Sequence, residues 1–399
     1  MAANNHDRRR IAELNLDGIM QSSCGVGGPN IEPLINTLST AKIERVVVRG
    51  TNWVGDAVMT IPALRALRRL MPDAEITLAV RPWAREIFNG QDFIDKLLIY
   101  DRRSAFSVLH QIREVKSRQF DLAILFQNAF EAAVIPFFAG VPMRLGYATE
   151  SRQRLLTHPV PLPDWRSSEH EVFYYLYLIA ALEQSLFGSN KLYENEPDIS
   201  LELPNSKLED ARRMLAQKGV RAESSVVAIC PGSINSRAKR WPAESFAKVS
   251  DELIDHGVQV LLVGSKDEQD VTSAVTSRMH NSPVVLTGET TLDQLIGILS
   301  VSDLVVTNDT GPAHIAAALG RPTLVIFGPT NPLTTRPFSP AAEILRHPPD
   351  CAPCMLRDCP IDHRCMTAIT VDEVFEHSHA LLKRSSFAKT VRSLCDSVA

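Results

Sequence analysis

Twice along this chain, short runs of β-branched and aliphatic residues alternate with stretches of helical periodicity. That alternation restricts the fold more than any other feature. In the first series, "IERVVVRG" and "AEITLAVRP" read as buried strands on either side of the apolar-periodic "TIPALRALRRLM". "DLAILFQN" and "PMRLGY" continue the strands, and "SEHEVFYYLYLIAALEQSLF" reads as a long helix ending near Gly188. A polar stretch with two prolines, "GSNKLYENEPDISLELPNSK", interrupts the pattern. Strands "SVVAICPG", "VQVLLVGS", "PVVLTGE" and "DLVVTN" then follow among helices "LEDARRMLAQKG", "PAESFAKVSDELIDHG" and "TLDQLIGILSV". The pattern predicts an α/β protein with two Rossmann-like, doubly wound domains whose sheet edges form a cleft. The domains are expected at 43–195 and 196–399, after a loosely ordered extension over 1–42.

Composition excludes several function classes. A formal charge of −4 and 22% charged residues give no electrostatic footprint for nucleic acid. No apolar run approaches the ~18 residues of a membrane span. The first residues carry "DRRR" and "SSCGVGG" but no secretory apolar core, so a cytoplasmic location with reduced thiols is expected.

Polar residues collect where strands end. The turn "VRGTNWVGDAVM" lacks both G-x-G-x-x-G and G-K-[ST], which disfavours a dehydrogenase or a P-loop kinase. Gly55-Asp56 remains, with Asp56 readable as a helix N-cap or as a functional acid. "CPGSINSRAKRWP" is either a phosphate cradle, with amides near Ser233 and a point charge on Lys239, or a solvated basic loop. In "LLVGSKDEQD", Asp267, Glu268 and Asp270 suit ribose hydroxyls or simply a helix start. "VVTNDTGPAHIAAALGRPTLVIFGPT" reads as strand, turn, helix, strand, with Asp309, Thr310, Gly311, Pro312 and His314 at the helix start. Free amides there attract phosphate, and proline fits a first helical turn. "CAPCMLRDCPIDHRC" spaces Cys351, Cys354, Cys359 and Cys365 as C-x2-C-x4-C-x5-C, a set that allows a structural zinc remote from any chemistry, or a loop of reduced cysteines.

Taken in order, "GTNWVGDAVMTIPALRALR", "FAGVPMRLGY", "CPGSINSRAKRWPAESFA", "LVGSKDEQD" and the block from "LTGETTLDQL" to "FGPTNP" resemble the bacterial lipopolysaccharide heptosyltransferases, glycosyltransferase family 9, over residues 43–380. The resemblance implies the GT-B fold, with a donor-binding carboxyl-terminal domain and an acceptor-binding amino-terminal one. It implies transfer from ADP-L-glycero-β-D-manno-heptose to a heptosylated Kdo-lipid A core, with inversion, without a required cofactor, at the inner leaflet of the inner membrane as a peripheral protein. Its matching positions make Asp56 the general base and Lys239 the diphosphate stabiliser. Ser233, Glu268, Asp309, Thr310, Gly311 and His314 become donor contacts: Glu268 at the ribose, Asp309 at the heptose hydroxyls and His314 against the diphosphate. Arg65, Arg68, Arg69, Arg81, Arg85, Arg102 and Arg103 are acceptor-contact candidates. Two alternatives stay open: a same-fold transferase with another donor or acceptor, and a nucleotide-sugar binder without catalysis.

Overall fold

Two stacks of parallel strands account for nearly every apolar run of the sequence. The computed structural model describes residues 43–101, 105–188, 191–192 and 195–396, so the extension over 1–42 lies outside the described residues. The first sheet holds β1 (Arg45–Arg49), β2 (Glu75–Val80), β3 (Lys96–Ile99), β4 (Leu122–Leu125), β5 (Met143–Tyr147) and β6 (His158–Val160), in the order β3-β2-β1-β4-β5-β6. The second holds β7 (Val226–Cys230), β8 (Gln259–Leu262), β9 (Val284–Val285), β10 (Leu304–Asn308), β11 (Thr323–Ile326) and β12 (Ala342–Leu345), in the order β12-β11-β10-β7-β8-β9. Read from its other edge, the second sheet repeats the order of the first. All pairings are parallel, with Val46 opposite Ile76 and Leu122, and Val305 opposite Thr323 and Ala228. This is the expected α/β architecture of two doubly wound sheets.

Parallel strands are covered on both faces, which is why β1, β7 and β10 are continuous apolar runs rather than alternating ones. Val46, Val48, Ile76 and Leu78 are buried on one sheet, and Ile229, Leu262, Val306 and Ile326 on the other. Each such side chain contributes roughly 1.5–3 kcal/mol. The long helix Glu171–Phe187 is buried from Tyr174 to Glu183, so its apolar residues run around the whole helix instead of along one stripe. It ends where the sequence predicts, at Gly188 with φ 64°, a left-handed cap that glycine adopts without strain.

In a doubly wound sheet the strand order reverses between the two central strands, and the turns leaving them diverge to open a crevice. The turn after β1 enters the helix Val54–Met59, and the turn after β10 enters the helix Gly311–Ala318. These two helices pack directly on each other. The halves are also tied by His170 Nε2 to the Arg336 carbonyl at 2.7 Å, and by Gln91 Nε2, which donates to the Glu202 carbonyl at 2.9 Å.

Candidate functional site

On the amino-terminal side, the chain leaves β1 through a turn held by a buried cation. Arg49 is 6% exposed, donates to the Gly50 carbonyl at 2.7 Å, and stacks over the Tyr100 ring with its guanidinium carbon 3.7 Å from the centroid. Burial pushes its pKa down to about 10. The anchored turn delivers Asp56 as the third residue of the helix Val54–Met59, whose N-cap is Trp53. Asp56 is therefore not the N-cap that its spacing allowed. Among the described residues its carboxylate has no hydrogen-bond partner. Burial foremost, then the like charge of Glu171, raises its pKa to about 6, against the opposing pull of Lys239 and Arg166. The larger part of that pull, from Lys239, comes from the other half.

The carboxyl-terminal side is cross-tied. Asn308, the last residue of β10, is fully buried. It donates to the carbonyls of Pro231 at 2.8 Å and Gly232 at 3.2 Å, and accepts from Trp241 N–H at 3.0 Å. Those three bonds dock the loop after β7 against the turn after β10, and sequence reasoning did not single out Asn308. Lys239 Nζ then reaches Asp309 Oδ2 at 2.8 Å and the Asp309 carbonyl at 3.2 Å. Asp309, 3% exposed, also accepts from Thr330 Oγ1 at 2.6 Å, again at Oδ2. Thr310 is the N-cap of the helix Gly311–Ala318 but makes no side-chain capping bond, so that helix keeps its first amides available to a ligand. Ser233 is buried and its carbonyl receives Arg240 Nε and Nη2 at 3.1 and 3.0 Å.

Glu268 makes the helix-start bonds that its spacing allowed: Oε2 accepts from Ser265 N–H at 2.8 Å and Ser265 Oγ at 2.9 Å, a capping box. Its Oε1 fills the space over Gly232, where a Cβ would lie 2.1 Å away. His314 is 5% exposed, and its Nδ1 is buried without a partner. Burial brings its pKa down to about 4, so the ring is neutral near pH 7 and offers a hydrogen bond rather than a charge.

The structure thus sets Asp56 within electrostatic reach of Lys239, which holds Asp309, on a helix packed against Gly311 and His314 of the helix that Thr310 opens, with Glu268 over Gly232 beside Ser233. Other expectations change. Arg65 donates to the Ser200 carbonyl at 3.0 Å and pairs with Asp92, and Arg68 holds the Ala74 carbonyl at 2.8 Å and pairs with Asp95. Both staple the fold. Arg81 and Arg85 stay at least partly exposed at the same sheet edge, and Arg102 and Arg103 lie outside the described residues.

The cysteine segment is a correction on two counts. Among the described residues no three His, Cys, Asp or Glu side chains converge as ion ligands, so the structural zinc that the spacing allowed has no support. Cys351, Cys354, Cys359 and Cys365 line one cavity, but Cys351 is exposed, Cys359 Sγ accepts from His363 N–H at 3.3 Å, and burial raises the Cys365 thiol above its ordinary range. Nor is the segment remote. Ala238 N–H donates to the Arg357 carbonyl at 2.9 Å, and His363 Nε2 lies 2.6 Å from the Ala238 carbonyl. The segment braces the turn that carries Lys239.

Comparison with known proteins agrees with this fold. The model of glycosyltransferase family 9 (heptosyltransferase) matches residues 108–364. The lipooligosaccharide heptosyltransferase 2 of Haemophilus influenzae is 30% identical over 311 residues, 75% of this chain and 88% of that protein. The lipopolysaccharide heptosyltransferase 2 of Escherichia coli is 29% identical, over 76% of this chain and 88% of its own length. The solved structure of the E. coli ADP-heptose LPS heptosyltransferase II superposes with a TM-score of 0.71 at 26% identity, covering 86% of this chain and 99% of that one. With two matched Rossmann-like sheets, an acid facing a lysine across their cleft, and this family match over most of its length, the chain belongs to glycosyltransferase family 9, the heptosyltransferases.

Proposed function

We propose that this protein is an inverting glycosyltransferase that moves L-glycero-D-manno-heptose from ADP-L-glycero-β-D-manno-heptose to heptosyl-Kdo-lipid A, the step of heptosyltransferase II. The observation that carries the reading is Asp56, unpartnered and raised to about pH 6, opposite the Lys239–Asp309 pair. An acceptor hydroxyl attacks the anomeric carbon from the amino-terminal side while the bond from that carbon to the ADP oxygen breaks, and Asp56 takes the hydroxyl proton. The departing diphosphate gathers negative charge. Lys239, the amides at Thr310 and Gly311, those near Ser233, and a hydrogen bond from His314 are fixed to receive it, so the scheme needs no metal or other cofactor. Asp309 spends Oδ2 on Lys239 and Thr330, which leaves Oδ1 to accept heptose hydroxyls. Glu268, already oriented by Ser265, presents its other oxygen beside Gly232 to the ribose.

In this reading residues 43–195 bind the acceptor and 196–399 the donor. Among the described residues no helix is long and apolar enough to cross a membrane. Peripheral contact with the inner leaflet is supported by Phe106, Leu109, Phe130 and Phe138, all exposed on the two outer helices of the acceptor half, beside exposed Arg113 and Lys116. The intact Asp56, Lys239 and Asp309 count against a binder without catalysis. The test is incubation with ADP-heptose and a heptose-deficient core extract, followed by mass measurement. One added heptose unit is expected. ADP release without a heavier acceptor reduces the protein to a hydrolase or a binder.

A further inference from the structure

The helix that carries Asp56 and the helix that opens on the donor site meet through two missing side chains. A Cβ placed on Gly311 falls 2.7 Å from both Cβ and Cγ1 of Val54. A Cβ placed on Gly55 falls 2.9 Å from His314 Cδ2 and 3.1 Å from Nε2. Each helix therefore supplies one glycine gap and one filling side chain, and each fills the other's gap. Neither glycine has a left-handed backbone that requires it, since neither φ lies in that region. The demand comes from close approach alone. The contact lies within two residues of Asp56 on one side and of Asp309 on the other.

We propose that Val54, Gly55, Gly311 and the ring of His314 form a size-matched interlock that positions Asp56 against the donor sugar. Packed interiors yield little, so an added methyl at either gap moves one helix relative to the other. Val54, Gly55 and Gly311 act as positioning residues here, since the first two need touch no substrate and Gly311 acts through Val54. The same contact couples the halves: the donor helix is seated where the base helix lets it sit. The inference rests on the reading of Asp56 as the proton acceptor.

The experiment is a repair. Gly311→Ala is expected to lower kcat by roughly 10²-fold, the cost of a misplacement of about 1 Å, with ADP affinity by calorimetry and Tm close to wild type. Val54→Gly removes the Cβ that the new methyl meets, and the double variant is expected to recover most of the loss, to the rate of Val54→Gly alone. A wild-type kcat in Gly311→Ala overturns the interlock, and so does a double variant no faster than Gly311→Ala. Weakened ADP binding without repair assigns Gly311 to the phosphate amides only, which also overturns it. If Gly311→Ala does not fold, Gly55→Ala supplies the second reading. Displacement from His314 exposes Asp56, so the acidic limb of its kcat/KM profile is expected to move below pH 6, and an unmoved limb rejects the proposal. Asp56→Asn run alongside separates the two ideas: an active Asn variant sinks the base reading itself, whereas an inactive one beside a fully active Gly311→Ala sinks only the interlock.

Discussion

The turn after β1 and the turn after β10 each leave a central strand at the carboxyl edge of its sheet, yet they are built by opposite rules. Around β10, Asn308, Lys239, Asp309 and Thr330 are bonded to one another or to the loop after β7. In the turn after β1, Asp56 has no hydrogen-bond partner among the described residues, and its burial is matched by a raised pKa. The difference follows from the chemistry each turn serves. A leaving group is stabilised by charges already in place before reaction, and cross-tying removes the cost of gathering them. A base must give up no partner when the acceptor arrives, and it works best with a pKa near the working pH.

The comparison breaks first at Asp56. Asp56→Asn is expected to cut transfer by roughly 10² to 10⁴-fold while ADP-heptose still binds. In the wild type kcat/KM should fall about tenfold per pH unit below about 6, where the carboxylate is lost. Stability moves the other way. The folded pKa lies above the unfolded one, so the wild type loses stability as pH rises from about 4 to about 6, and the Asn variant does not. At pH 7 the variant should therefore be the more stable by on the order of 1 kcal/mol, discounted for the partial exposure of the group. Near wild-type transfer by the Asn variant, measured by mass, would return Asp56 to a structural role.

Lys239→Ala sharpens the contrast because its stability change has the opposite sign. Loss of one preorganised stabiliser is expected to lower kcat by roughly 10²-fold, and the 3%-exposed Asp309 is left without its cation, so Tm should fall. A variant that loses activity while gaining stability, as Asp56→Asn should, would show that the donor turn is not prebuilt.

Asn308→Ala comes next. It leaves two carbonyls and one amide of the buried loop junction unsatisfied, at a cost of roughly 2–4 kcal/mol. Donor KM should rise about tenfold with the loop loosened, a 1.4 kcal/mol effect, while an Asp56-dependent acidic limb stays in place. Urea unfolding with donor titration reads both, and an unchanged KM would remove Asn308 from the donor site.

How much of this was visible beforehand depends on whether a feature is local. The central strands were legible because burial on both faces writes them as unbroken apolar runs. β3, β6 and β12 are short edge strands with partly exposed residues, and "KLLI", "HPV" and "AEIL" carry too little pattern to be assigned. The polar residues of the β10 turn stood out between two such runs. Their partners did not. Asn308 earns its place through three bonds to loops far away in the chain. Gly55 shows in the sequence only as a residue of the turn, and only the fold shows that the ring of His314 fills the space beside it. The cysteines, grouped by spacing, suggested an ion, and only the fold reveals that their segment braces Ala238, beside Lys239.

The smallest expected effect lies where the two halves join, at His170. Its Nδ1 accepts from Val172 N–H at 3.2 Å and so caps the helix Glu171–Phe187, which leaves Nε2 to carry the proton and donate to the Arg336 carbonyl of the other half. The ring also packs on Phe338, with centroids 5.0 Å apart. Burial drives its pKa to about 3, because a protonated ring would lose the cap and stand desolvated. Asn caps helices well but is too short to keep both bonds, so His170→Asn should preserve the cap and cost only about 1 kcal/mol at pH 7. The sign then reverses with acid. The unfolded imidazole takes a proton below about pH 6.5 and the folded one does not, so the wild type gives up about 2 kcal/mol between pH 6.5 and pH 5, and the Asn variant gives up none through this group. Urea unfolding at pH 7 and pH 5 should show the wild type ahead at the first and the variant level or ahead at the second. Equal differences at both values would mean that His170 titrates normally, and that the junction between the acceptor and donor halves is wet rather than packed.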